Sequence, residues 1–198
     1  GATIAVGPTQ PLGVHMNAGG GVGGFIASPD EVAYAREYNT LNISITETVK
    51  EGEFGFGLSL FHQSSYGSRE EGKDWTGNSV YLWALAGAAY MSAMGPEGFA
   101  EIGRLIMARS RHAREAIDAV PGCLVDLSQT CFKEFVVRYD GLSARAVDDA
   151  LRERGLFGGK VVTGEPGVEG EAALYCVTEI HTEDDIARLA SALKEILS

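Results

Sequence analysis

A polar loop near the middle of the chain carries the residues best suited to bind a phosphate group. Residues 69–75 lead into Thr76, Gly77 and Asn78, which directly precede a strongly apolar stretch that predicts a helix. Free backbone N–H groups at a helix N-terminus, together with a threonine hydroxyl, form a natural phosphate site. The sequence therefore predicts that Thr76, Gly77 and Asn78 contact a phosphorylated cofactor. The alternative is that Thr76 and Asn78 only cap the helix.

Gln10 is informative because of the side chain that it lacks. It lies in the segment Val6-Gly7-Pro8-Thr9-Gln10-Pro11-Leu12-Gly13, ahead of a glycine-rich turn at residues 19–24. This order of strand, loop, glycine turn and strand resembles the cofactor edge of pyridoxal-phosphate enzymes, in which a lysine at this point forms a Schiff base. A neutral amide cannot form an imine, and the nearest lysine in the sequence is Lys50. We therefore expect no catalytic residue in this chain.

Other reactive side chains give weaker signals. His15, beside the glycine turn, either contacts a substrate or cofactor ring or is a structural imidazole. His62, in the polar loop, either lines a shared cleft or is solvent-exposed. The glycine turn either brings a backbone close to a cofactor or partner, or only packs tightly; it does not follow the nucleotide-binding pattern. Neither a Ser-His-Asp nor a Cys-His arrangement follows from the spacing. Cys123, Cys131 and Cys176 match no zinc pattern, so no metal site is predicted.

Composition excludes several classes of function. The net charge is −11 and the pI is about 4.8, which disfavours nucleic acid and anionic membrane surfaces as partners. No stretch reaches the roughly 18 apolar residues that a membrane helix needs. The odd number of cysteines is typical of a reduced, cytoplasmic protein. The start of the chain shows no targeting signal and leads directly into a buried type of strand, as if the fold were entered partway through.

Periodicity predicts a mixed α/β fold. In the first half we expect strands at 3–6 and 24–27, a helix at 28–38 capped by Ser28, and a hairpin from 41–48 and 54–61. A helix at 78–94, rich in small apolar residues, should be buried. A long helix should follow to about 120, with a basic face of Arg104, Arg109, Arg111 and Arg114 that is either solvated or a docking surface. The second half predicts strands at 123–127, 132–139, 160–163 and 172–178, with helices at 143–154 and from 182 onward.

The order of several motifs is more specific than any one of them. These motifs are Gln10-Pro11-Leu12-Gly13, Gly95-Pro96-Glu97-Gly98, Phe132-Lys133-Glu134-Phe135-Val136-Val137-Arg138, Arg154-Gly155-Leu156-Phe157-Gly158-Gly159 and Cys176-Val177-Thr178-Glu179. Together they resemble glycine dehydrogenase (decarboxylating) subunit 1, the α half of the glycine-cleavage P-protein, along nearly the whole chain. The loop at Asp74-Trp75 and Gly77 departs from the usual residues of that family.

The resemblance implies a type I pyridoxal-phosphate-dependent transferase fold. Residues 1–94 would form the C-terminal part of the large domain, and residues 95–198 the small α+β domain. A parallel sheet needs neighbours on both faces, so we expect another polypeptide to supply the rest of the large domain. The resemblance also implies a β-type subunit that carries the Schiff-base lysine and holds most of the pyridoxal phosphate. In that family glycine is decarboxylated and the aminomethyl group passes to a lipoyl H-protein.

The leading hypothesis is therefore a non-catalytic subunit that completes the active site of a lysine-bearing β subunit. Two alternatives stay open. The chain is a subunit of a paralogous pyridoxal-phosphate complex that acts on a different amino acid, or it is a stand-alone binding or regulatory module. An enzyme that uses the same scaffold by itself for another chemistry would show activity without partners.

Overall fold

A computed structural model of the chain describes residues 2–14, 23–38, 42–59, 65–72 and 81–198. The chain divides into two compact units, Gly1–Met94 and Gly95–Ser198. All strand pairs among the described residues are antiparallel. The first unit contributes two hairpin-like pairs, and the second contributes one four-stranded sheet.

The first pair of strands frames the turn that contains Gln10. Strand β1 (Ala5–Pro8) pairs with β2 (Gly24–Ala27), with Pro8 opposite Gly24. The predicted second strand is confirmed, whereas the first strand lies two residues later than expected. Its position is set by pairing with β2, which the local sequence of β1 does not encode.

The predicted helix at 28–38 is much shorter in the structure. Helix α1 (Val32–Ala35) begins after Glu31, whose backbone is extended at φ −128° and ψ 140°. Ser28 does not cap it, so that prediction is wrong. Its hydroxyl donates to the carbonyl of Pro29 at 3.2 Å and accepts a hydrogen bond from the Tyr38 hydroxyl at 2.6 Å.

The predicted hairpin is confirmed. Strands β3 (Asn42–Glu47) and β4 (Phe54–Ser59) pair with Ile45 opposite Phe56 and Glu47 opposite Phe54. The turn between them is closed by hydrogen bonds from the Thr48 N–H to the Glu53 carbonyl and from the Glu53 N–H to the Lys50 carbonyl, at 2.9 and 3.1 Å. Helix α2 (Ser65–Ser68) and a 3-10 turn (Arg69–Glu71) follow later in the chain.

Helix α3 (Tyr81–Asp118) is interrupted at Gly95, whose φ of 62° and ψ of 175° are not helical. A buried helix was expected at residues 78–94, yet in the described part, residues 81–94, Leu82 and Leu85 are 77% and 66% exposed. Only part of this apolar segment is covered by the rest of the described first unit. Apolar periodicity identifies a helix meant for burial but does not say which surface buries it.

The second unit is built on an antiparallel sheet of order β5-β6-β8-β7. Its strands are β5 (Cys123–Val125), β6 (Glu134–Tyr139), β7 (Lys160–Val161) and β8 (Glu171–Cys176). All four lie within the predicted strands or one residue from them. Alternation along β6 buries Phe135, Val137 and Tyr139 on one face and leaves the intervening side chains outside.

Helices α4 (Ala144–Glu153) and α5 (Glu183–Leu197) cover that buried face with the second segment of α3. Ile117 from α3, Leu151 from α4 and Leu193 from α5 are fully buried in one core. Helix α5 begins with a capping box: the Thr182 hydroxyl accepts from the Asp185 N–H at 3.1 Å, and the Asp185 carboxylate accepts from the Thr182 N–H at 2.8 Å. This unit therefore has its own hydrophobic core.

Candidate functional site

Gln10 begins a short 3-10 turn, Gln10–Leu12, directly after β1. The turn is closed by a hydrogen bond from the Leu12 N–H to the Thr9 carbonyl at 2.9 Å. Thr9 ties the turn to β2, because both its backbone N–H and its hydroxyl donate to the carbonyl of Gly23 at 2.9 Å. The backbone at Gln10 is thus held in place on both sides, while its side chain is exposed.

The residues after Gln10 pack tightly against the first segment of α3. Gly13 has a φ of 83°, and a Cβ at this position would collide with the ring of Tyr90. A Cβ on Gly87 would lie 3.6 Å from the carbonyl of Leu12 and 3.9 Å from Val14, which is 2% exposed. Glycine at position 13 is therefore what allows the turn to lie against this helix, whereas a Cβ at position 87 would make only ordinary van der Waals contact.

The chemistry available at this turn is limited to hydrogen bonding. An amide oxygen accepts and an amide NH₂ donates, but neither forms an imine with an aldehyde. Within the described part of the first unit the single lysine is Lys50, which is exposed in the β3–β4 turn. The described residues thus do not fit a covalent attachment of pyridoxal phosphate near Gln10.

Several predicted site residues lie outside the described residues. These are Thr76, Gly77 and Asn78 of the proposed phosphate site, together with His15 and His62. Their roles stay predictions from the sequence. The chain leading toward that site is described as far as Gly72, and Arg69 within it has a positive φ of 51°, which is uncommon for a residue with a side chain.

The basic face predicted on the long helix is not a single surface, and the structure corrects that expectation. Arg104 and Arg111 are exposed, but Arg109 donates to the carbonyl of His181. Arg114 is 8% exposed and donates from Nη2 to the carbonyls of Asp126 and Gln129. The available signal in the sequence was its helical spacing, next to Ala113 and three residues before Ile117, both of which are fully buried in the structure.

Arg114 lines two cavities of about 390 and 590 Å³, beside the loop that follows β5. The smaller cavity lies against β6 and carries Arg138 together with the carboxylates of Asp126, Glu134 and Glu169. Its charges are therefore mixed. Arg114 Nε is buried and makes no hydrogen bond, whereas Nη2 is already bound to two backbone carbonyls. The observed contacts of Arg114 are those of a residue that anchors a loop.

The core of the second unit also contains a polar cluster. The hydroxyls of Tyr139 and Tyr175 lie 2.7 Å apart, and burial raises the pKa of both well above the usual value. Asp148 accepts a hydrogen bond from Arg152 at 3.0 Å, while its Oδ1 is buried without a partner. A buried phenol that stays protonated at neutral pH serves packing and hydrogen bonding, so this cluster is structural.

The described residues contain no group of three or more His, Cys, Asp or Glu side chains placed to bind a metal ion. No helix among them is long and apolar enough to cross a membrane.

Comparison with known proteins extends beyond these local features. A family described as glycine cleavage system P-protein matches residues 1–193. A probable glycine dehydrogenase (decarboxylating) subunit 1 from Thiobacillus denitrificans is 32% identical over 203 residues, which cover all of this chain and 43% of that protein. The protein of the same description from Staphylothermus marinus is also 32% identical, over all of this chain and 42% of its own length. The chain therefore spans less than half the length of these relatives.

Solved structures give the same result for the fold. A crystal structure of glycine decarboxylase (P-protein) of the glycine cleavage system, in inhibitor-bound form, matches 99% of this chain with a TM-score of 0.81 and 35% identity, over 44% of that chain. A sphingosine-1-phosphate lyase from Burkholderia pseudomallei matches 99% of this chain and 37% of its own, at a TM-score of 0.63 and 20% identity. C-DES with glycine covalently linked to its PLP cofactor matches 89% of this chain and 42% of its own, at a TM-score of 0.56 and 19% identity. The latter two show the fold alone.

The expected fold and the expected family resemblance are both confirmed by these matches. The fold is that of type I pyridoxal-phosphate-dependent enzymes, in a mixture of helices and strands. The match of the family over nearly the whole chain, together with the motif order and the fold, shows that this chain belongs to the glycine cleavage system P-protein family.

Proposed function

We propose that this chain is a non-catalytic subunit of a pyridoxal-phosphate-dependent glycine decarboxylase complex and completes the active site of a lysine-bearing β-type subunit. The observation that carries the proposal is Gln10. It stands at the end of β1, where a cofactor-binding lysine is expected in this fold, and its amide cannot form an imine. The family and the relatives named subunit 1 support the same assignment.

Pyridoxal phosphate, held mainly by the partner, would supply the ring that accepts the electron pair left behind when the carboxylate of the substrate departs as carbon dioxide. This chain would contribute position and not covalent chemistry. The turn at Gln10 is braced by Thr9 and Gly23 on one side and by Tyr90 beneath Gly13 on the other. A rigid backbone of this kind can form part of the wall of a site that another subunit fills.

Thr76, Gly77 and Asn78 are the proposed contact of this chain with the cofactor phosphate. The proposal rests on the helix that follows them, described from Tyr81 onward, because a helix N-terminus attracts anions. We further propose that residues 1–94 are the C-terminal part of a large domain and residues 95–198 a small domain. The division of the chain at Met94 and Gly95 supports these boundaries.

The surface of the first unit supports the need for partners. Val14 is buried, whereas Val6 and Leu82 are 70% and 77% exposed. Apolar surface on this scale marks an interaction site in soluble proteins. The rest of the large domain and a β-type subunit are the proposed neighbours, with a lipoyl H-protein as the acceptor of the aminomethyl group and the cytoplasm as the compartment.

The experiment that tests the proposal uses the complex purified from its own cells. Native mass spectrometry should show a second subunit, and borohydride reduction followed by peptide mapping should place the cofactor on a lysine of that subunit. Exchange of the glycine carboxyl group with labelled bicarbonate should require both subunits. Reduction of the cofactor onto a lysine of this chain would overturn the proposal.

Gln10→Lys provides the sharper control. The variant should bind no cofactor covalently when this subunit is isolated, because a lysine alone does not create the surrounding site. Gln10→Glu serves as the matched variant, since it changes the amide without adding an amine. Assays with other amino acids, in place of glycine, would reveal a paralogous complex, and a chain that associates without changing turnover would be a regulatory module.

A further inference from the structure

The β3–β4 hairpin has two chemically different faces. On one face Ile45 lies opposite Phe56, and Glu47 lies opposite Phe54. On the other face Thr46 lies opposite Gly55, so that side carries a hydroxyl and no large apolar group. Neighbouring side chains on a strand point to opposite faces. Ile45 and Thr46 are adjacent in β3, so their side chains lie on different faces of the hairpin.

The apolar face is largely uncovered. Ile45, Phe54 and Phe56 are 67%, 61% and 72% exposed. Together they expose roughly 300–400 Å² of apolar surface, as much as the largest patch on a typical monomer. The other described elements of the first unit pack only sparsely on these strands. A two-stranded hairpin with an open apolar face is at best marginally stable in water, so this face needs a cover.

The border of the face is acidic. Glu47 lies on the face itself, and Glu51 and Glu53 lie in and beside the turn, where Lys50 is the one cation. All four side chains are exposed. A second copy of this chain would bring two acidic borders together within a protein whose net charge is already −11. Like charges across an interface are unfavourable, which argues against a homodimer through this surface.

We propose that the apolar face formed by Ile45, Phe54 and Phe56 is a docking surface for the partner subunit of the complex, whose matching surface is apolar with a border of lysine or arginine. This inference rests on the proposed function, because it takes the partner to be the β-type subunit. Aromatic anchors in the centre of an interface with charges at its edge form the usual arrangement in stable complexes. Glu47 would set the orientation by pairing with a basic residue of the partner.

Two adjacent substitutions test the surface. Ile45→Asp places a carboxylate on the apolar face, and Thr46→Asp places the same group on the other face of the same strand. In the assembled subunit, Ile45→Asp should raise the Kd for the purified β-type subunit at least ~30-fold, whereas Thr46→Asp should change it by less than ~3-fold. Phe56→Thr is a milder variant that preserves strand propensity, and it should weaken binding in the same direction.

Thermal unfolding of the polypeptide without its partner shows whether this face is covered by the partner or by another part of the same polypeptide. If the partner covers it, Ile45→Asp and Thr46→Asp change the Tm by similar amounts, because aspartate is unfavourable in a strand at both positions. A large fall in Tm for Ile45→Asp, with an unaltered Kd, would show that another part of the same polypeptide covers the face and would overturn the proposal. Failure of any second subunit to bind would overturn it as well.

The charge at the border gives an independent readout. Glu47→Lys should slow association with the partner, and the difference from wild type should shrink as salt is added. These assays measure assembly and not turnover. If Ile45→Asp dissociates the complex and the intact wild-type complex has no activity on glycine, the proposed function is refuted and the docking surface still stands.

Discussion

Gln10 and its neighbours show how single residues determine what this chain can do. The amide removes covalent cofactor chemistry from the turn, while Thr9 and Gly13 give the same turn a fixed backbone. Arg114 shows the reverse case, because a charged residue that reads as surface in the sequence is buried and bonded to two loop carbonyls. Side-chain type limits the possible chemistry, and the contacts decide which part of it is used.

Glycine at position 159 is predicted to be essential for folding of the second unit. Its φ is 84°, and a Cβ would collide with the carbonyl oxygen of Leu174 on β8. Gly159→Ala should therefore lower the free energy of unfolding by about 2 kcal/mol or more. Gly103→Ala is the matched control: no atom lies within 4 Å of its Cβ, so it should stabilise the helix by about 0.5–1 kcal/mol. Urea unfolding of both variants checks the prediction, and equal effects would contradict it.

Cys123 predicts a loss of stability at alkaline pH. Burial raises the pKa of its thiol from 9.0 to about 11, and the carboxylate of Asp118 adds to the effect. Above pH 9 the unfolded thiol ionises while the folded one does not, so the free energy of unfolding falls as the pH rises from 9 toward 11. Cys123→Ala should show a shallower fall over this range. Denaturant unfolding at several pH values, in reductant and with Cys131→Ala as control, measures it, and parallel curves for wild type and Cys123→Ala would refute it.

At the level of elements, strong local signals were predictable and pairing partners were not. The strands and helices of the second unit lie where periodicity predicts them, because alternation along β6 and apolar spacing along α5 are local properties. The predicted helix at Ser28 fails because Ser28 bonds to Pro29 and Tyr38 instead of capping. Competing hydrogen bonds from residues ten positions away are not visible in a local pattern.

The capping box at the start of α5 makes a quantitative prediction. Thr182→Ala removes the hydroxyl that accepts from the Asp185 N–H, and it should lower the free energy of unfolding by about 1 kcal/mol. Thr182→Ser keeps the hydroxyl and should cost much less.

Hydrogen bonds from Thr182 lower the pKa of Asp185 below 3.8, so the contribution of this carboxylate to stability is present above pH 3.8 and disappears as the pH falls through the lowered pKa. Urea titrations of the two variants at pH 7 and pH 3 test both statements; an equal loss in the two variants would contradict the role of the hydroxyl.

At the level of the whole chain, the two units differ in how much core they contain. Ile117, Val137 and Leu193, all fully buried, join one continuous core in the second unit. The described part of the first unit buries little beyond Val14 and exposes apolar side chains on both hairpins and on the helix at 81–94. This asymmetry is the structural basis for proposing that the first unit is completed by other polypeptide.

A fragment of residues 95–198 should therefore fold alone. We expect a cooperative thermal transition and dispersed amide resonances in its NMR spectrum, because its core does not depend on the first unit. A fragment of residues 1–94 should show neither and should bind a dye for exposed apolar surface. Folding of the first fragment by itself, or failure of the second to fold, would contradict this assignment.

The sequence by itself determined the family, the fold class and the absence of a Schiff-base lysine at Gln10. These follow from residue identity and motif order, which need no coordinates. Tertiary structure decided that the Gln10 turn lies against Tyr90 and Gly87, that Arg114 is buried, and that Ile45, Phe54 and Phe56 share one open face. The reason is physical: residue type sets which interactions are possible, whereas register, burial and exposure depend on contacts between residues far apart in the chain.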